Sequence, residues 1–344
     1  MEKKQLELAN FMKGVAICAI VLFHLIFDYL DTPDIVATAS KFGGAGIHIF
    51  FLWSGLGLTL SALRRPLAWW EFLRKRAGKI YIPYILVVLI SAALPFMYSG
   101  DDRLLAVTSH VFLFKMFFPA YNISFGAQFW FVSTIFQFYL VFHLLERARN
   151  VLGSRKFLFI CCGGSLIWMG FTALSGLYPE RIWGSFFLQY LWEFGFGMCL
   201  GDAYHRQKLE LSGLRVLPTA AVTVVSLLIY GLMALKGGAL TAFNDVFGAA
   251  AMSGICLLLY RLPWLRPLFC RINGFSYELY LVHILIFELC EGLLGPHLPN
   301  VVWCIIALVM AVLCSVGYHR YTGRLTQIVL KAGSVRKASR HLQQ

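Results

Sequence analysis

The sequence predicts an all-α polytopic membrane bundle of about ten transmembrane helices, with both termini cytoplasmic. Three observations lead there. Of the 344 residues, 59% are hydrophobic and 14% are charged, and the mean hydropathy is +0.71; a water-soluble domain of this length is far less apolar. Ten windows reach the ~20 residues that a helix needs to cross a bilayer. Lys and Arg then gather in alternate connections, as the positive-inside rule requires.

The windows run over 10–31, 44–63, 80–98, 126–145, 157–175, 185–203, 214–235, 243–260, 275–294 and 300–319. The first follows a charged start, but Lys13 and Asp28 interrupt it and no small-residue cleavage site follows, so it reads as a retained span and not a signal. On the inner side lie Lys3, Lys4 and Lys13, the 64–79 loop with Arg64, Arg65, Arg74, Lys75, Arg76 and Lys79, and the 146–156 loop with Arg147, Arg149, Arg155 and Lys156. Arg206, Lys208 and Arg215 join them, then Arg261, Arg266 and Arg271, and finally Arg320, Arg324, Lys331, Arg336, Lys337 and Arg340. Only Lys41, Arg103, Lys115, Arg181 and Lys236 fall on the other side. The net charge of +13 therefore reports topology and contact with membrane lipids, not nucleic acid.

Residues 99–125 form the longest outer connection, and Leu104 to Phe118 is apolar enough for an interfacial or re-entrant helix that lids an outward cavity. The expected organisation is a membrane domain over 1–320 and a basic cytoplasmic tail over 321–344, with no soluble domain at either end. Nine cysteines occur without a CxxC pair or a Cys/His cluster at zinc spacing, so neither a disulfide framework nor a metal site is predicted.

Ionisable residues inside the spans are the candidates for function, because each costs about 3 kcal/mol to insert and is normally turned toward a bundle interior or a water-filled cavity. Lys13 and His24 are eleven residues apart, which is about three helical turns plus 20°, so both project from one face, separated by roughly 16 Å of rise. That puts a cation near one membrane surface and an imidazole near the midplane. Asp28 follows one turn later on nearly the same face. Glu193 falls midway along the sixth span, where a carboxylate needs a cationic partner or a proton. His283 enters the ninth span to a depth similar to that of His24, either lining the same cavity or bracing helices. Glu288 and Glu291 read as a solvated rim, and His110, His143, His205, His297, His319 and His341 receive no role.

Four strings, in order, resemble the acyltransferase 3 family of membrane acyltransferases. They are Lys13-x10-His24, where that family typically has Arg-x10-His; Phe50-Phe51-Leu52-Trp53-Ser54-Gly55; the basic run from Phe72 to Pro83; and Phe275-Ser276-Tyr277-Glu278-Leu279-Tyr280-Leu281-Val282-His283. Weaker echoes are Phe129 to Ser133 and Phe194 to Met198. Lys13 and Lys79 replace arginines of the pattern, and an ammonium lacks the planar fork of a guanidinium. His48 stands where the family often carries an acid, and its role is open.

The resemblance implies an acyltransferase of a bacterial inner membrane that moves an acyl group, acetyl in the first instance, from cytosolic acyl-CoA to a hydroxyl of an extracytoplasmic or lipid-linked glycan, directly or through a covalent relay. No permanently bound cofactor is implied; acyl-CoA is the donor substrate. Lys13, Arg74, Lys75, Arg76 and Lys79 would meet the CoA phosphates. His24 would be the general base, with Asp28 either fixing which ring nitrogen is basic or standing at the outer interface near the helix end. His283, Tyr277 and Glu193 would face substrate, although Tyr277 and its neighbours also suit packing and interfacial hydrogen bonds. The rival from another class is a proton-coupled secondary transporter or flippase using His24, Asp28 and Glu193 as a relay; the Gly- or Pro-broken spans in matching halves that would favour it are not evident.

Overall fold

The computed structural model describes residues 2–206 and 215–341, with side chains from 7 to 206 and from 215 to 326. Lys208 lies outside the described residues, as do the side chains of Lys3, Lys4, Lys331, Arg336, Lys337 and Arg340, and with them most of the tail 321–344. Every regular element among the described residues is helical. In chain order they are α1 (Glu2–His24), α2 (Asp34–Ser40), α3 (Gly46–Arg64), α4 (Trp69–Arg76), α5 (Ile82–Ala93), α6 (Arg103–Val111), α7 (Trp130–Leu174), α8 (Arg181–Gly184), α9 (Leu191–His205), α10 (Val216–Lys236), α11 (Asn244–Leu259), α12 (Arg266–Asn273), α13 (Ser276–Leu294) and α14 (Asn300–His341). Seven helical runs among them are long and apolar enough to cross a membrane.

One of those runs carries two of the ten windows. A straight helix as long as α7 would measure roughly 68 Å, over twice a ~30 Å hydrocarbon core. It is not straight: at Gly153 the backbone takes φ 76° and ψ 155°, open to glycine alone. Contacts with α9 show that the two arms run antiparallel. Phe138 stacks on Phe194 at 4.2 Å and Arg149 meets Asp202 at 2.8 Å. Beyond the turn, Ser154 bonds the same Asp202 at 3.1 Å and Ser165 reaches back to the Leu188 carbonyl at 2.7 Å. Asp202 thus ties both arms at the tip of a helical hairpin.

The windows 185–203 and 275–294 correspond to α9 and α13, which are mostly enclosed by other helices. α9 crosses α3 at backbone contact: a Cβ on Gly55 would fall 2.2 Å from the Phe194 carbonyl oxygen, and one on Gly197 would fall 2.0 Å from that of Leu52. Small residues here let two helices touch without side chains between them. The Phe50–Gly55 string and its echo at Phe194–Met198 are therefore the two halves of one helix crossing.

Two π-helical turns interrupt the regular pattern, at Leu25–Tyr29 after α1 and at Ala77–Tyr81 between α4 and α5. Such turns are uncommon and often mark functional positions. The outer connection departs from expectation. The Leu104–Phe118 stretch is not one helix; α6 ends at Val111, and Leu113 takes a positive φ of 60°. Arg103 instead binds the carbonyls of Ala92, Leu94 and Tyr98, which ties the start of the segment back to the end of α5. The helix that starts at Asn300 runs through position 320 without a break.

Candidate active site

Two cavities of about 410 Å³ each open from opposite ends of the bundle. One lies at the end rich in Lys and Arg and is lined from α1 by Asn10 and Lys13, from the π turn by Lys79, and from α13 by Tyr277 and Glu278. The other lies among the connections at the opposite end and is lined by His24, His48, Asp245 and Arg181, with Trp130, Tyr190 and other aromatics. α1 thus threads both, presenting Lys13 to the basic cavity and His24 to the other. Ile47 of α3 and Tyr280 of α13 line both cavities and form the wall between them.

His24 is the last residue of α1, and the π turn that follows carries Asp28. The His24 ring nitrogen Nδ1 lies 3.0 Å from Asp28 Oδ2. A carboxylate only accepts, so Nδ1 is assigned as the donor, and in the neutral ring Nε2 keeps its lone pair. The side chains are 17% and 40% exposed. His283 does not line either cavity. It is fully buried behind His24, ring centroids 5.3 Å apart, and donates from Nδ1 to the Leu279 carbonyl at 3.0 Å. Its Nε2 is buried without a hydrogen-bond partner among the described residues.

Of the five residues assigned to donor phosphates, Lys13 and Lys79 line the basic cavity. Arg76 is half-buried, its guanidinium 5.5 Å over the Phe72 ring. Arg74 and Lys75 are exposed and stand outside the lining. The Tyr277 hydroxyl donates to the Ile80 carbonyl at 2.7 Å, which fastens α13 to the π turn carrying Lys79. Glu193 is buried and does not reach a cavity. Its carboxylate is held by His48 Nδ1, at 3.1 and 3.2 Å, and His48 Nε2 lies 3.7 Å from Asp245 Oδ1. Gln189 fixes Asp245 at 2.9 Å.

Sequence alone gave no role to Asp245, at the start of the 243–260 window and in the first turn of α11, and left His48 without one. Both are ionisable residues near span ends, a signal that burial cost alone flags. It also passed over His319, which pairs with Glu278 at 3.0 Å in the wall of the basic cavity. The expected lid over the outward cavity is not the 99–125 segment, which contributes nothing to that lining; residues 178–181, 184 and 185 take the place. Arg103 ties the start of the 99–125 segment back to the carbonyls at the end of α5, Tyr121 donates to Asp102 within it, and Lys115 closes on Ser124 and Gly126.

Nothing matches among curated proteins or solved structures. A family model described as an acyltransferase domain matches residues 9–320, from one turn before Lys13 to just past His319. It encloses both cavities, the wall between them and the four strings that first suggested the likeness, and the chain belongs to the acyltransferase 3 family.

Proposed function

We propose that this protein transfers an acyl group, acetyl in the first instance, from cytosolic acyl-CoA to a hydroxyl of an extracytoplasmic or lipid-linked glycan. In this reading the chain crosses a bacterial inner membrane ten times: the seven apolar runs, the second arm of α7, and the enclosed α9 and α13. Both termini and the basic cavity then face the cytosol. The observation that carries the reading is that Lys13 and His24 stand on one helix in two cavities that share a wall. A polyanionic donor cannot enter lipid, so it needs cations at an inner mouth, and Lys13 and Lys79 supply them.

The acceptor would enter the other cavity, whose aromatic and carboxylate lining suits a sugar bearing hydroxyls. His24 Nε2 takes the hydroxyl proton as the oxygen attacks the thioester carbonyl. The C–O bond forms and the C–S bond breaks, and the thiolate leaves toward the basic cavity and takes up a proton there. Asp28 positions the ring, and His283 packs behind it. Arg74 and Lys75, exposed at the same end, would add only long-range attraction and contact with anionic lipid.

The test is acyl transfer in proteoliposomes supplied with labelled acetyl-CoA and a glycolipid extract. Wild type should label the glycolipid, and His24→Ala should reduce the label by about 10² to 10⁴ without changing melting in detergent. Solute movement with no acylated product would hand the chain to the transporter reading.

A further inference from the structure

The wall between the cavities has an unequal pair of members. Tyr280 is fastened: its hydroxyl donates to the Gln128 carbonyl, and its ring meets Phe131 edge-on at 5.5 Å and 73°. Ile47 makes no polar contact through its side chain and holds its place by packing alone. The next residue along α3, His48, is tied through its side chain to Glu193. A tethered aromatic and an aliphatic side chain held by packing thus line both cavities. Both are nearly closed to solvent, at 8% for Ile47 and 5% for Tyr280.

We propose that Ile47 and Tyr280 form the gate that the acyl group must cross, and that the bulk of Ile47 sets the longest acyl chain the enzyme accepts. The inference rests on the acyltransferase reading. A thioester carbonyl that reaches His24 from the basic cavity must pass this wall with its chain folded against it. An acetyl group offers one methyl to that space, whereas a butyryl group adds two methylenes that meet the Ile47 side chain. One methylene too many in an apolar pocket changes the specificity ratio by about tenfold or more. Ile47→Ala removes three carbon atoms, enough to admit those two methylenes.

The experiment uses inverted membrane vesicles carrying the full chain, supplied with acetyl-CoA, butyryl-CoA or octanoyl-CoA labelled at the acyl carbonyl. Label is counted in extracted glycan and glycolipid. Ile47→Ala should raise the butyryl-to-acetyl ratio about tenfold or more over wild type. Ile47→Val should give a smaller rise in the same direction and serves where the alanine variant does not accumulate. Ile47→Phe should depress butyryl transfer further than acetyl. An unchanged ratio in the alanine or valine variant, with acetyl product still forming, overturns the gate while leaving the acyltransferase intact. No label from any donor in wild type overturns both.

Discussion

His24 and His48 line the same cavity, each beside a carboxylate, and differ in what is left over. His24 gives one nitrogen to Asp28 and keeps the other toward the cavity, in a side chain 17% exposed. His48 spends one nitrogen on Glu193 and turns the other to Asp245, with 5% of its side chain exposed. The same residue pairing therefore leaves a part-exposed histidine at a cavity in one place and a brace in the other. Access and an unspent lone pair separate them, not proximity to an acid.

The comparison breaks if the two histidines respond alike. Loss of His24 should cost activity by the margin given above and leave folding alone. Loss of His48 should do the reverse. His48→Ala leaves Glu193 buried without its partner, and breaking a buried pair in that way costs about 3–5 kcal/mol. The expected result is a large drop in the detergent melting midpoint and in the amount of protein recovered. Replacing His48 and Glu193 together by leucine should recover most of that loss, since a well-packed apolar pair replaces a buried ionic one at little cost. A His48→Ala variant that melts like wild type yet transfers no acyl group would move the proton chemistry to His48.

That contrast also marks where the sequence was readable and where it was not. Apolar windows pointed to the seven helical runs long and apolar enough to cross a membrane, because the cost of an unsatisfied backbone in lipid forces each crossing into a helix. Even the α7 hairpin was legible, from the charged 146–156 stretch around Gly153. α13 carries three glutamates on its apolar run: Glu278 is buried and paired with His319, Glu288 accepts from Tyr29, and Glu291 is exposed. Local spacing placed Asp28 against His24, four residues away. It had no means of pairing His48 with Glu193, 145 residues apart, or of finding Asp245 beside them. The π turns at Leu25–Tyr29 and Ala77–Tyr81 were equally silent, because a one-residue change in hydrogen-bond register leaves no mark in composition.

On the basic side the comparison sharpens to binding against chemistry. Lys13 shares the helix of His24 but faces the other cavity, so its loss should weaken donor binding and spare the chemical step. A charged hydrogen bond contributes about 1.5–3 kcal/mol. Lys13→Ala should therefore raise KM for acetyl-CoA by about tenfold or more with kcat nearly unchanged, and Lys13→Arg should restore it. Steady-state rates at varied acetyl-CoA check this. A fall in kcat at constant KM would place Lys13 in the reaction itself.

A third buried group, Lys115, offers the smallest effect and a pH sign that the histidines do not. It is fully enclosed in the 99–126 segment, and its amine donates to the carbonyls of Ser124 at 3.3 Å and Gly126 at 3.0 Å. Burial without a counter-ion, with Arg181 adding like charge, pushes it down to about 7. A neutral amine still has the two N–H bonds that two carbonyls need. In an unfolded segment the same group holds its proton to about 10.4. Between those values the unfolded segment binds more protons than the folded one, so the fold of this segment gains stability as pH rises from about 7 toward 10 and is flat below that range. Limited proteolysis within residues 99–126 should accordingly be slower at pH 9 than at pH 7, and less than about twofold faster at pH 6 than at pH 7. In Lys115→Met, which carries no proton to lose, the three rates should coincide once the protease's own pH dependence is divided out. Faster cleavage at pH 9 than at pH 7 in the wild-type chain would mean that the ammonium form, not the amine, holds those two carbonyls.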